Sequence, residues 1–249
     1  MARIAIIGGT GLTSLRNLEI TGREVVHTPY GEPSGPLTRG VLCEVEVVFL
    51  ARHGYGHTIP PHRVNYRANL WALKEAGVEQ VVAVNAVGGI RGDMTPQRLV
   101  IPDQIIDYTW SRNNTYFEEG LTQVVHIDFT RPYCESLRQI LLAAGERAGL
   151  DLAAGATYGA TQGPRLETAA EIDRLERDGC HIVGMTGMPE TALARELELC
   201  YASICVVANW AAGRGEGGIT MGDIDRNLKA GMQQVRALLE QAIPECLRN

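Results

Sequence analysis

Nowhere do these 249 residues approach the run of about 20 apolar side chains that a membrane span needs. A broad basic field is missing too. Against 29 Asp and Glu stand 23 Lys and Arg, a formal net charge of −6. A general nucleic-acid binder is excluded on that balance, because the phosphates would find no patch of cations to neutralise them. A small anion gripped by a few local donors is not excluded. The six cysteines, Cys43, Cys134, Cys180, Cys200, Cys205 and Cys246, show no CxxC and no regular spacing. Cys200 and Cys205 share one predicted strand at an odd offset, which points them to opposite faces. All six therefore read as reduced, mostly core cysteines of a cytoplasmic protein. The opening MARIAIIGG carries one Arg and turns straight into glycines, so it reads as a first strand and not as a signal peptide. Repeats, low-complexity tracts and linkers are absent as well.

What is present suits one sizeable core, with 45% of residues hydrophobic and 21% charged. Apolar runs that predict strands lie at 2–7, 43–51, 79–86, 98–106, 155–161 and 201–209. Helical spacing predicts helices over 64–77, 134–149, 189–199, and from about Asp223, a good N-cap, to Pro244. Strands alternating with helices imply an α/β fold: a single domain over 1–249 with a twisted, mostly parallel or mixed central sheet flanked by helices.

Several loops carry chemistry. After the first strand, GGTGLTS (8–14) offers tight glycines and the Thr10 hydroxyl to an anion. A dinucleotide fingerprint would need glycine where Ser14 stands, and a P-loop would need a Gly-Lys-Ser/Thr ending. The next strand runs into ARHGYGHTIPPHRVNY (51–66), where Arg52 provides a planar fork for phosphate oxygens beside His53. His53, His57 and His62 would form a metal site only on a helix, which Gly54, Gly56 and Pro60 oppose, so no metal is expected. Asn85 and Ala86 precede a glycine pair. Glu167, beside Leu166, follows a Gly-Pro turn near the start of a helix, and Met185 and Thr186 lie between a strand and a helix. Finally, VVANWAAG (206–213) places the carboxamide of Asn209 at the end of a buried strand, where open α/β sheets bind ligands. Taken singly, each of these is equally compatible with an ordinary turn, cap or core residue.

In order they are more specific. GGTGL, ARHGYGHTIPPHRVNYRANLWALKEAG, VNAVGG, TQGPRLETAAE, GMTGMPE and ANW resemble the trimeric purine nucleoside phosphorylase and methylthioadenosine phosphorylase family over about residues 4–243. The resemblance implies phosphorolysis of a purine nucleoside, with inorganic phosphate as co-substrate and no cofactor. It assigns Thr10, Arg52, His53, Asn85, Ala86 and Thr186 to phosphate. Met185 would meet ribose, and Glu167, Leu166, Asn209 and Ala211 the base. His126, in VVHIDFTRPYC, would reach into a neighbouring subunit's site, which implies a homotrimer. Asn209, Glu167 and His53 would be the catalytic groups.

On the same matching, Asn209 occupies a base-reading position that is Asp in 6-aminopurine enzymes and Asn in 6-oxopurine ones. A carboxamide can donate to O6 and accept from N7–H, whereas an ionised Asp only accepts. Glu167 suits N1–H of an oxopurine, and Ala211 stands where the adenosine branch has a second Asp. At the sugar end, Ile224 occupies the place of a histidine that would bind a 5′-hydroxyl, and an isoleucine packs instead against a methylthio group. The expected substrate is thus a 5′-methylthio nucleoside of hypoxanthine. The alternatives are methylthioadenosine and ordinary inosine or guanosine. An NAD oxidoreductase or a non-catalytic nucleoside binder would share the α/β pattern but not this ordered set.

Overall fold

The computed structural model describes residues 3–12 and 17–247. Its strands join in one eleven-stranded sheet with helices on both faces, the α/β arrangement that the alternation of apolar runs implied. The centre is β1 (Ile4–Gly8), every residue of it buried, running parallel to β4 (Val45–Ala51) on one side and β5 (Gln80–Gly89) on the other. Beyond β4 lie β3 (Leu37–Leu42) and the edge strand β2 (Glu19–Glu24), both paired antiparallel.

At β5 the sheet forks. Its long outer edge pairs in parallel with β11 (Cys200–Trp210), followed by β6 (Leu99–Ile101) and β8 (Leu152–Ala154). Its last residues, Gly88 and Gly89, outrun β1 and pair instead with β10 (Ile182–Gly184), which leads to β9 (Thr157–Ala160) and β7 (Gln104–Asp107). The ends of β1, β4, β5 and β11 consequently open on one side of the sheet, at the fork, which is where a parallel sheet offers a crevice.

One face is covered by α2 (Glu135–Arg147) and α5 (Met221–Cys246), the other by α1 (Tyr66–Glu75) and α4 (Glu190–Glu196). The remaining helix, α3 (Ala169–Arg177), packs Ile172 and Leu175 against Ile90, Val183 and Ala211. Its start is fixed by a capping box, with Thr168 accepting from the Glu171 amide and Glu171 bonding back to Thr168.

Three expectations need correction. The run 98–106 is two strands and not one: Pro102 has no amide to continue a ladder, so β6 turns toward β11 and β7 departs toward β9. The last helix is capped by Thr220, whose hydroxyl accepts from the Asp223 amide, so Asp223 lies in its first turn, and the helix continues through Pro244 to Cys246. The cysteines are not all reduced. Cys134 and Cys200 form a disulfide with an S–S distance of 2.07 Å. The Cys134 amide donates to the Tyr201 carbonyl at 2.8 Å, which sets the head of α2 against the start of β11. Cys180, Cys205 and Cys246 are buried free thiols, and Cys43 is exposed.

Candidate active site

The fork encloses a cavity of 440 Å³. Thr10, Arg52, His53, Ala86, Leu166, Glu167, Met185, Thr186, Asn209, Ala211 and Ile224 all line it, although they come from seven separate segments of chain. Two further positions expected at the site do not. The Asn85 side chain is buried behind the wall, donating to Ser203 Oγ at 2.7 Å and accepting from Thr186 Oγ1 at 3.3 Å. It therefore holds Thr186 and does not itself face the cavity. His126 lies exposed between β7 and α2, outside its own chain's cavity. Ser14 falls outside the described residues.

Just past β1, Gly9 lets the chain turn directly over the Arg52 head. A Cβ there would lie 2.4 Å from the Val84 carbonyl oxygen and 2.8 Å from Arg52 Nη1. Arg52 is completely buried, and its fork is not free as the sequence suggested. Nε and Nη2 donate to the two oxygens of Glu190 at 2.6 and 2.7 Å, and Nη1 donates to the Val84 carbonyl at 2.9 Å. Of five guanidinium hydrogens, only the second on each terminal nitrogen remains for a ligand. The Tyr201 hydroxyl also donates to Glu190, at 2.7 Å. Burial opposes the Arg52 charge, yet the Glu190 carboxylate and its hydrogen bonds hold the guanidinium pKa above its ordinary value. Removing one partner of so buried a pair typically costs about 3–5 kcal/mol.

His53 presents a lone pair. Burial, and then the nearby Arg52 charge, lower its pKa to about 4. Because its Nδ1 lies 2.8 Å from the Ile59 carbonyl, which can only accept, the ring hydrogen belongs on Nδ1 and Nε2 is left as an acceptor. Such an atom suits a proton-bearing phosphate oxygen. Across from it, Thr10 Oγ1 lies 3.1 Å from His57 Nε2. Each ring thus has one nitrogen engaged by a protein partner, and among the described residues no group of three or more His, Cys, Asp or Glu side chains is placed to hold a metal ion.

Other lining residues are suited to a heterocycle. Asn209, the penultimate residue of β11, donates one Nδ2 hydrogen to the Trp210 carbonyl at 2.7 Å. Among the described residues, Oδ1 and the second N–H have no other partner, so one donor and one acceptor remain for a ligand edge. Glu167 stands just ahead of the α3 cap and accepts from Thr161 Oγ1 at 2.6 Å. Met185, also in the lining, packs on Gly163. That glycine has φ +62°, and a Cβ on it would sit 2.4 Å from the Met185 sulfur. Ile219, Met221, Ile224 and Leu228, from the start of α5 and the loop before it, close the remaining wall with apolar groups.

Two residues that the sequence analysis passed over organise this site. Glu190 looks in sequence like an ordinary first-turn acid of α4, and only the fold shows its partner 138 positions away. Arg112 sits in an irregular stretch and donates to the carbonyls of Met185, Met188, Thr161 and Gln162, at 2.8, 2.6, 3.2 and 2.8 Å. It ties together the two loops that carry Glu167 and Met185. An arginine in a predicted loop gives no sequence signal for such a role.

Comparison with known proteins places this geometry. The phosphorylase superfamily matches residues 3–244. A probable S-methyl-5′-thioinosine phosphorylase from Pseudomonas syringae pv. tomato is 54% identical over 243 residues, 98% of this chain and 99% of that protein. A 6-oxopurine nucleoside phosphorylase from Pyrococcus furiosus is 46% identical, with 98% of this chain and 93% of that protein covered. Among solved structures, a methylthioadenosine phosphorylase from Schistosoma mansoni in complex with adenine superposes with a TM-score of 0.95 at 33% identity, over 100% of this chain and 93% of that one.

Proposed function

The chain belongs to the phosphorylase superfamily, and from that premise we propose that it is a pentosyltransferase of the purine nucleoside phosphorylase type. Its substrate is S-methyl-5′-thioinosine, which phosphate cleaves to hypoxanthine and 5-methylthioribose 1-phosphate. One observation carries this reading: a single cavity is lined by the polar Asn209 and Glu167 together with the apolar Ile219, Ile224 and Leu228. Leaving a buried 5′-hydroxyl unpaired against those side chains would cost about 1–3 kcal/mol, whereas burying a methyl there gains about 0.8 kcal/mol.

In the proposed mechanism, Thr10, Thr186, the remaining hydrogens of Arg52 and the chain around Ala86 position phosphate beneath the anomeric carbon. His53 Nε2 accepts from a protonated phosphate oxygen. As the glycosidic bond breaks, the sugar takes on oxocarbenium character, and the arriving anion stabilises it. Because Glu190 already offsets the Arg52 charge, the phosphate keeps its own charge for that purpose. Asn209 donates to O6 and accepts from N7–H as negative charge reaches the departing base, while Glu167 accepts from N1–H. The reaction needs phosphate as co-substrate and no cofactor or metal.

The assembly that fits is a homotrimer. His126 lies in a stretch that also exposes Trp110, Leu121, Val124 and Val125, the kind of apolar surface that a neighbouring subunit covers. From there His126 would reach a neighbour's cavity.

Assaying methylthioinosine, methylthioadenosine, inosine and guanosine, each with phosphate, tests the substrate. Methylthioinosine should give the highest kcat/KM. Faster cleavage of methylthioadenosine would refute the base assignment, and equal rates for inosine would refute the apolar 5′ pocket.

A further inference from the structure

Glu167 is a long, loop-borne carboxylate, and its only hydrogen bond among the described residues comes from one hydroxyl. We propose that Thr161 is a positioning residue for base recognition, its hydroxyl pinning one oxygen of Glu167 so that the other faces the base. Thr161 directly follows β9 and is held on both sides of its own backbone. Its amide donates to the Gly184 carbonyl at 2.8 Å, and its carbonyl accepts from Arg112 Nη2 at 3.2 Å. The hydroxyl is therefore a donor on a rigid base.

That hydroxyl has a single hydrogen and two acceptors in reach, Glu167 Oε1 at 2.6 Å and the Gly184 carbonyl at 3.2 Å. The shorter, charge-assisted bond to the carboxylate is the stronger. A free glutamate side chain samples many rotamers, and fixing one costs conformational entropy at the moment of binding. A donor already in place removes that cost before substrate arrives, which is preorganisation. With Oε1 held by Thr161, Oε2 is the oxygen that no protein donor engages among the described residues, and it is offered to a ring N–H. This inference rests on the reading that Glu167 meets N1–H of the base, and its test separates the two.

Thr161→Val keeps the branched shape and removes the donor, and Thr161→Ser keeps the donor. Glu167→Ala serves as the reference for losing the carboxylate altogether. The measurements are kcat and KM for methylthioinosine and methylthioadenosine, with KM for phosphate alongside. Thr161→Val should raise KM for methylthioinosine by about tenfold while leaving KM for phosphate near its starting value. It should also lower the methylthioinosine-to-methylthioadenosine ratio of kcat/KM, and Thr161→Ser should restore both. If Glu167→Ala abolishes the preference but Thr161→Val matches the parent, Thr161 has no positioning role. If Thr161→Val weakens phosphate and both nucleosides in proportion, the residue is merely structural and the proposal is overturned. Should Glu167→Ala leave the ratio unchanged, the base-reading role of Glu167 itself fails.

Discussion

Asn209 and Glu167, the two residues proposed to read the base, depend on aim as much as on chemistry. An asparagine at a strand end is as compatible with a turn as with a ligand, and its sequence neighbours cannot decide. In the fold, the bond from Nδ2 to the Trp210 carbonyl fixes the carboxamide plane and leaves one donor and one acceptor unspent, which supports the ligand reading. Exchanging that amide for a carboxylate, Asn209→Asp, removes the donor for O6 and offers a second acceptor to an exocyclic amino group. The methylthioinosine-to-methylthioadenosine ratio of kcat/KM should fall by about tenfold or more, since sites that hydrogen-bond their substrate reject mismatched groups strongly. An unchanged ratio would show that Asn209 does not read the base. Residues such as Glu190 and Arg112 were illegible for the opposite reason. Their side chains follow no local rule, and their partners are brought to them by tertiary structure alone.

The long, continuously buried strands were the most legible elements. Strands β1, β4, β5 and β11 are nearly continuous apolar runs because helices cover both faces of the sheet, and each lies within one or two residues of its expected limits, apart from the C-terminal extension of β5 to Gly89. The edge strand β2, its neighbour β3 and the three-residue β8 and β10 were missed, having too few alternating positions to stand out. The disulfide was missed because its partners lie 66 positions apart and only the docking of α2 onto β11 brings them together. Closing so long a loop restricts the unfolded chain, and bridges of this kind typically stabilise by about 2–4 kcal/mol. Reductant, or the Cys134→Ser and Cys200→Ser pair, should lower the denaturation midpoint accordingly. Base preference should not change, because Cys200 and Asn209 sit at opposite ends of β11. A midpoint indifferent to reductant would mean that the bridge does not form.

For the whole molecule, the decisive feature is the fork at β5. By passing from β1 to β10 at Gly88 and Gly89, the sheet opens a crevice into which strand ends, the loop before α3 and the start of α5 all converge. The α/β class was legible from alternating patterns, but the fork was not, since no pattern along one strand reports which neighbour pairs with its last two residues. The ordered motifs nevertheless lay where that crevice forms, because each sits at an element boundary facing it. A crystal structure of the protein with hypoxanthine and phosphate bound is the most direct check. Asn209 should lie within about 2.7–3.2 Å of O6 and N7, and Glu167 within the same distance of N1. Finding either side chain turned from the purine toward solvent would contradict the account.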